Sequence, residues 1–255
     1  MIRFEAVHKA FGPKQVLCGL DLVIPDGETT VILGYSGTGK SVALKIICGL
    51  LVPDAGRVVV DERVVHELDR DDLVALRGHI GFVFQFAALF DSMTVAENIR
   101  LGLARRGLDE ALTEERIRES LALVDLAGAE DRYPAELSGG MRKRVGIARA
   151  IALRPRYILY DEPTTGLDPV TSAVIDQLMV RSNRDLGVTG VVVTHDLRSA
   201  FTVGDRLAML YQGTIRQVGP ADEMRESTDP VVRQFLDGRP GAAGEEQPMA
   251  PSVGS

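Results

Sequence analysis

The chain has 255 residues, 45% of them apolar, which is enough to bury a substantial core in one α/β domain with insertions. Its formal net charge of −7 argues against a surface committed to nucleic acid. No apolar stretch approaches the roughly 20 residues that cross a bilayer, so a membrane-spanning part is expected to come from another chain.

The first residues predict strands rather than a secretory signal. Residues 1–5 are expected to form an edge strand, and residues 1–30 and 57–65 to form short strands joined by turns. Cys18 and Cys48 lie in apolar segments, which indicates buried, reduced thiols without a disulfide or metal role.

A phosphate-binding loop follows the first strongly apolar strand. Residues 34–41 have the pattern GxxxxGKS, between a strand that ends at Leu33 and a helix over 42–50. Its glycines let the backbone aim N–H groups at phosphate oxygens, and the helix N-terminus adds positive partial charge. Lys40 is expected to reach the β- and γ-phosphates, and the Ser41 hydroxyl to bind Mg²⁺. The alternative, a glycine-rich turn that matches by chance, is disfavoured by these flanks. The predicted contacts are Gly34, Tyr35, Ser36, Gly37, Thr38, Gly39, Lys40, Ser41 and Val42.

The chain changes from strand-like to helical after residue 85. Thr94 or Ser92 is expected to cap one helix, and another is predicted to start at Thr113. Residues 86–90 are unusually apolar for a loop, which leaves two alternatives open: core packing or a docking groove for another protein's helix.

A second phosphate-facing turn is predicted at residues 137–140, which read LSGG. Ser138 is a strong helix N-cap, and Gly139 and Gly140 permit close backbone approach to a ligand. The resulting helix N-terminus would suit a phosphate group, although a simple capped helix is the alternative for SGG alone. The basic run 142–144 is expected to be a solvated helix face, and contact with acidic surfaces or lipid head groups is the alternative.

An acidic pair ends another apolar strand. Asp161 and Glu162 follow residues 157–160, so they are expected beside the phosphate loop at the carboxyl edge of a sheet. Asp161 suits Mg²⁺, directly or through water, and Glu162 suits the general base that activates the attacking water. Capping of the strand is the alternative for the pair in isolation.

With these motifs in this order, the sequence resembles the ATP-binding subunits of ABC (ATP-binding cassette) transporters over about residues 2–238. The resemblance implies a P-loop NTPase (RecA-like) α/β core, an antiparallel β subdomain and an α-helical subdomain inserted at about 86–150. Residues 239–255 are rich in Pro, Gly, Ala and Glu and are expected to form a disordered tail.

The resemblance also implies individual roles. Phe11 would stack on adenine next to Val16, Gln85 would belong to the glutamine loop, and His195 would contact the γ-phosphate. The implied catalytic set is Glu162, His195 and Gln85, and the implied Mg²⁺ set is Ser41, Gln85 and Asp161. Two chains would face each other head to tail, so that each ATP also contacts the other chain's Leu137, Ser138, Gly139, Gly140 and Asp168.

Finer features are similar to the Mla/Mce branch, whose ATPases drive lipid movement between membranes. They are Met141 in place of the usual glutamine and the segments 90–95 and 232–238. This likeness implies an integral membrane permease, a lipid-binding Mce-type protein and a small regulatory subunit as partners. It also implies a cytoplasmic protein held at the inner face of the cytoplasmic membrane through the permease.

Three alternatives remain for the function. The first is the ATPase of an importer for amino acids or another small polar solute, which shares the chemistry and differs in its permease. The second is a soluble ABC ATPase of DNA repair or translation, which usually has two cassettes or a long coiled-coil insertion. The third is a small-molecule kinase, which would have no use for LSGG.

Overall fold

Ten strands form two sheets in the described residues, 1–104 and 107–239 of the computed structural model. The strands are β1 (Ile2–Phe11), β2 (Lys14–Ile24), β3 (Thr29–Leu33), β4 (Ala55–Val60), β5 (Arg63–Val64), β6 (Ile80–Val83), β7 (Tyr157–Asp161), β8 (Thr189–Thr194), β9 (Arg206–Tyr211) and β10 (Thr214–Pro220). The helices are α1 (Lys40–Ile47), α2 (Arg70–Gly78), α3 (Val95–Leu103), α4 (Glu110–Leu123), α5 (Gly139–Ala152), α6 (Pro169–Leu186), α7 (Leu197–Val203), α8 (Ala221–Arg225) and α9 (Pro230–Leu236).

The larger sheet has the order β10-β9-β3-β8-β7-β6, and only the β9–β10 pair in it is antiparallel. The other strands run in one direction, so the segments after β3, β6, β7 and β8 all leave from the same edge. Functional residues that are far apart in the sequence are therefore brought to one edge of the sheet.

The smaller sheet is antiparallel, with the order β2-β1-β4-β5. The prediction of an edge strand for residues 1–5 was wrong, because β1 pairs with β2 on one side and with β4 on the other. The second pairing joins Ile2 to Val60, which the local sequence cannot reveal because it depends on a chain return more than 50 residues away.

Side chains on the two faces of the large sheet belong to two different cores. Val31 and Leu33 of β3 belong to the core that includes the helices α3–α7, whereas Ile32 between them belongs to the core that includes the antiparallel sheet and α1. This follows from the alternation of side chains along a strand. The apolar β3 sequence is therefore explained by burial on both faces.

The helices α3, α4 and α5 pack against one another between residues 95 and 152. Thr94 caps α3 in a capping box with Glu97, as one of the two predicted caps. Helix α4 begins at Glu110, earlier than the predicted Thr113, because the Asp109 carboxylate accepts a 2.8 Å hydrogen bond from Leu112 N.

Among the described helices, none has the length and apolar character needed to span a membrane. The predicted tail falls almost entirely outside the described residues, which end at position 239.

Candidate active site

The phosphate loop joins β3 to α1 and is closely packed at its glycines. Gly39 has a φ of 104°, and a Cβ added there would lie 2.7 Å from Val16 Cγ1. A Cβ at Gly34 would lie 2.5 Å from the Leu210 carbonyl oxygen. Glycine is therefore required at both positions, and the packing brings Val16 of β2 against the loop.

Lys40 is buried inside this loop, with 5% of its surface exposed. Its Nζ donates hydrogen bonds to the carbonyl oxygens of Gly34, at 2.9 Å, and Tyr35, at 3.1 Å. It also lies 3.5 Å from Glu162 Oε1. Burial lowers the pKa of Lys40, and the charge of Glu162 opposes that shift. The ammonium thus lies between the phosphate loop and the predicted general base.

Ser41 and Asp161 meet at the start of α1. The Ser41 hydroxyl donates a 2.6 Å hydrogen bond to Asp161 Oδ1. Burial raises the pKa of Asp161, while this hydrogen bond lowers it. A hydroxyl and a carboxylate are oxygen donors of the kind that Mg²⁺ uses together with water and phosphate oxygens. In the described part of the chain, no group of three or more His, Cys, Asp or Glu is arranged to hold a metal ion.

Glu162 is held by several groups at the end of β7. Its Oε2 lies 2.9 Å from His195 Nδ1 and accepts a 3.1 Å hydrogen bond from the Thr165 hydroxyl. Its backbone has a φ of 47°, the left-handed region that is uncommon for a residue with a side chain. The structure therefore brings Glu162, His195 and Lys40 together. Thr165 was missed in the sequence, where its spacing of three residues from Glu162 in a turn was the available signal.

The remaining residues predicted on the nucleotide side are more open. Gln85 is half-buried just after β6, and its backbone carbonyl accepts a hydrogen bond from Lys143 Nζ. Phe11 is 47% exposed at the end of β1, with Lys9 Nζ at 5.7 Å from its ring centroid. An exposed aromatic face of this kind is available for stacking.

The LSGG turn begins α5 and lies against the start of α6. Ser138 is exposed, and its hydroxyl accepts a 3.2 Å hydrogen bond from Met141 N, which confirms it as the helix cap. A Cβ at Gly140 would lie 2.5 Å from Thr171 Cγ2, and Gly139 lies near Leu167. The turn is therefore adjacent to the segment that leads into α6.

Two other residues predicted to face a partner's nucleotide differ from Ser138. Leu137 is only 4% exposed, so its side chain is part of the core and only its backbone is available to a ligand. Asp168 is exposed and caps α6, with its Oδ1 accepting hydrogen bonds of 3.0 Å from Val170 N and Thr171 N.

The expectation of a solvated basic face at residues 142–144 was wrong at its centre. Lys143 is 7% exposed, and its Nζ also lies 3.4 Å from the Glu162 carbonyl oxygen. Its spacing from Ile147 and Ala150, both buried, was the missed signal, since residues four and seven apart share a helix face.

A phosphate loop, an acidic pair at a neighbouring strand end and a second glycine-rich helix N-terminus on one α/β chain define an ATP-binding cassette. The ABC transporter family matches residues 17–165. The chain belongs to this family, as an ATP-binding domain. It is an ATPase that uses ATP with Mg²⁺.

The chain is similar to several curated proteins over most of its length. It is 42% identical over 239 residues to the probable ribonucleotide transport ATP-binding protein mkl of Mycobacterium tuberculosis, covering 93% of this chain and 67% of that protein. It is 42% identical over 228 residues to the methionine import ATP-binding protein MetN of Xanthomonas axonopodis, covering 88% and 68%. It is 41% identical over 256 residues to the chloroplastic protein TRIGALACTOSYLDIACYLGLYCEROL 3 of Arabidopsis thaliana, covering 93% and 74%.

Solved structures confirm the predicted fold class. The dimeric ATP-binding cassette MJ0796 in a post-hydrolysis state with ADP and Pi matches with a TM-score of 0.78 and 36% identity, covering 87% of this chain and 99% of that one. The structure of cbiO1 from Clostridium perfringens matches with a TM-score of 0.82 and 28% identity, covering 92% and 94%.

Proposed function

We propose that this chain is the ATP-hydrolysing subunit of a membrane transporter that moves phospholipids or other lipids between membranes, of the Mla/Mce type. The observation that carries the lipid assignment is the 41% identity, over 93% of the chain, to a plant protein named after a glycolipid. The sequence features at Met141 and in segments 90–95 and 232–238 support the same branch.

A solute importer is the second candidate. It is favoured by the 42% identity to a methionine import protein, and a third relative is named for ribonucleotide transport. All three assignments use the same ATPase chemistry, so the choice between them depends on the permease and its partners.

In the proposed mechanism, ATP with Mg²⁺ supplies the cleavable γ-phosphate and the neutralising charge when it is bound. Lys40 binds the β- and γ-phosphates, Ser41 and Asp161 hold the cation, and Gln85 contributes to it from the glutamine loop. Phe11 stacks on the adenine with Val16 beside it. The remaining contacts are the backbone and side chains of residues 34–42.

Glu162 acts as the general base in this proposal. It is close to Lys40 and His195, and both can pair with phosphate when the nucleotide is bound, which would free a carboxylate oxygen to accept a proton from water. His195 contacts the γ-phosphate and orients that water. The 54% exposure of the His195 side chain leaves it accessible to a ligand.

We further propose that two copies assemble head to tail, so that Ser138, Gly139, Gly140, the Leu137 backbone and Asp168 complete the partner's site. Residues 1–238 would form one cassette, with the helical subdomain at about 86–150. Exposed rings at Phe86 and Phe90 offer apolar surface for a permease helix. The permease would hold the chain at the inner face of the cytoplasmic membrane, and an Mce-type lipid-binding protein and a small regulatory subunit would join it.

Affinity purification from solubilised membranes tests this proposal. The bait is a Glu162→Gln variant with MgATP, and a Lys40→Ala variant serves as a control in which nucleotide binding is weakened. Recovery of a permease with an Mce-type lipid-binding protein is the expected result. A permease with a solute-binding protein would replace lipid transport by solute import, and recovery of soluble partners alone would overturn the transporter assignment.

A further inference from the structure

Among the described residues, Lys143 is a buried cation that has no role in the proposed ATPase mechanism. Lys143 lies on α5, five residues after Ser138, and points into the protein rather than to solvent. Its Nζ donates hydrogen bonds to two backbone carbonyls, those of Gln85 and Glu162. These are the residues that follow the neighbouring parallel strands β6 and β7.

The position is costly for a lysine. An ammonium group removed from water needs both charge and hydrogen-bond compensation. Burial lowers the pKa of Lys143, and the carboxylates of Glu162 and Asp161 oppose that shift. The groups that offset the cost of burying this ammonium are therefore the carboxylates of Asp161 and Glu162 and the carbonyls of Gln85 and Glu162. All of them belong to the residues that follow or end β6 and β7 at the active site.

The contact with Glu162 stabilises an unusual backbone. The Glu162 backbone, with its φ of 47°, makes three hydrogen bonds. Its N–H donates to the Val193 carbonyl at 2.9 Å, and its own carbonyl accepts from Thr165 N at 3.3 Å and from Lys143 Nζ at 3.4 Å. A residue in this region persists only when its surroundings determine it. Of these three contacts, the one from Lys143 is the contact that joins the Glu162 backbone to α5.

We propose that Lys143 is a positioning residue for ATP hydrolysis: its ammonium fixes the Gln85 and Glu162 backbones to the helix that begins at Ser138. Lys143 does not touch the reacting atoms. It sets the distance and orientation of the two residues that do, and it links them to the helix whose N-terminus would serve the partner's ATP. That last link rests on the proposed head-to-tail dimer, whereas the positioning role does not.

The chain offers a matched control on the same helix. Arg144 is the next residue, and its guanidinium also donates to two backbone carbonyls, those of Val124 and Asp125, within the helical region. Arg144→Met removes a half-buried cation that also has two carbonyl contacts, but it leaves Gln85 and Glu162 untouched. It is expected to leave kcat unchanged.

The experiment measures steady-state ATP hydrolysis by the full chain. Lys143→Met should lower kcat by about tenfold to a hundredfold, the range expected when a reacting group is misplaced by about 1 Å, while the KM for ATP changes less than about twofold. Lys143→Arg should restore most of kcat because it keeps two donors, and Lys143→Gln, which has a shorter amide donor, should fall between Met and Arg. Thermal unfolding checks that each variant is folded.

Each result decides the proposal. An equal loss of kcat in Lys143→Met and Arg144→Met would show a general effect of α5 and overturn it. A normal kcat in Lys143→Met would overturn it as well, and so would a rise in KM with kcat unchanged. If Lys143→Met does not fold, the comparison of Lys143→Gln with Lys143→Arg still decides, since equal kcat values in these two would contradict a positioning role. Wild-type hydrolysis, measured in parallel, separates failure of this proposal from failure of the ATPase assignment.

Discussion

Asp161 and Glu162 are neighbours in the sequence but have different surroundings. Asp161 ends β7, is bonded to Ser41 and faces the helix of the phosphate loop. Glu162 turns out of the strand through a left-handed backbone and faces His195 and Lys40 instead. The change in backbone direction between the two residues is what allows one carboxylate to serve a cation and the next to serve water.

Replacement of Glu162 tests the division between chemistry and binding. Glu162→Gln keeps the shape and loses the base, so hydrolysis should fall by roughly 10²–10⁴-fold, the span for loss of a general base. ATP affinity should survive, because the ion pair of Lys40 with residue 162 is not a contact to nucleotide. Phosphate release and equilibrium titration with ATP measure the two effects. Lys40→Ala should weaken the titrated affinity itself, and near-normal turnover in Glu162→Gln would refute the assignment of the base.

A further buried carboxyl lies where α6 meets α7. Asp176 of α6 is 3% exposed, and its Oδ1 accepts a 2.5 Å hydrogen bond from the Ser199 hydroxyl of α7. Burial raises the pKa of Asp176, the Ser199 hydrogen bond and Arg198 lower it, and Asp196 raises it. The buried charge is therefore a net cost to the folded state.

The sign of the resulting pH dependence can be tested. A raised native pKa means that the folded chain binds the proton more tightly, so the cost is fully present above that pKa and is lost as the pH falls towards 3.8, the ordinary value. Asp176→Asn should therefore be at least as stable as the wild type near neutral pH, with an advantage that shrinks as the pH falls. Urea unfolding at several pH values measures this difference in the free energy of unfolding. Asp91→Asn, at an exposed position, should follow the wild-type curve, and an advantage that grows with falling pH would contradict the prediction.

The elements differ in how far the sequence could predict them. The strand before the phosphate loop, the acidic strand and the caps at Thr94 and Ser138 depend on short-range patterns, and these were predicted. The interior position of β1 depends on its pairing with a distant strand, so local patterns could not reveal it. The burial of Lys143 had a local signal in its spacing from Ile147 and Ala150, but the carbonyl groups that it contacts lie in distant segments and left no pattern near it.

Helix α5 shows why such contacts matter for the site. Arg149 donates 2.7 Å hydrogen bonds from its two terminal nitrogens to the carbonyl oxygens of Ala87 and Ala88, both of which have left-handed backbones. The side chains of Arg149 and Lys143 both hold the segment after β6 by hydrogen bonds to its backbone carbonyl oxygens. Every residue has a backbone carbonyl, so accepting such a hydrogen bond requires no particular residue type. The sequence of residues 85–88 therefore could not predict these contacts.

The start of α3 allows a direct test of local structure. The Thr94 hydroxyl accepts from Glu97 N at 3.2 Å, and Glu97 Oε2 accepts from Thr94 N at 2.7 Å. Thr94→Ala should lower the free energy of unfolding by about 1 kcal/mol, the usual value of an N-cap. Ser92→Ala, at the other position considered for the cap, should change it by less than about 0.5 kcal/mol, as expected for an exposed residue outside the cap. Denaturant unfolding of the two variants compares them, and equal effects would exclude Thr94 as the functional cap.

For the molecule as a whole, the exposed residues around the LSGG turn form the candidate dimer face. Val170 is 75% exposed and Val174, one turn later on α6, is 46% exposed. Thr171 between them contacts Gly140, so this apolar stripe lies beside the turn proposed to bind the partner's ATP. The exposure of these two valines is explained if a second copy of the chain covers them together with the LSGG turn.

Charge placed on this face should therefore prevent the ATP-dependent dimer without damaging the monomer. Val170→Glu adds a carboxylate in the first turn of α6, where the helix dipole favours it, so the fold should not be weakened. The test uses the Glu162→Gln variant with MgATP as the parent, which should have the mass of two chains by light scattering. Adding Val170→Glu should weaken association at least tenfold, because an unpaired charge at a buried interface costs more than about 1.4 kcal/mol. Val23→Glu, which adds the same charge at a half-exposed position of the antiparallel sheet, should still dimerise. Equal dimerisation of the two charged variants would place the interface elsewhere, whereas loss confined to Val170→Glu would support a head-to-tail pair that shares its two ATP sites.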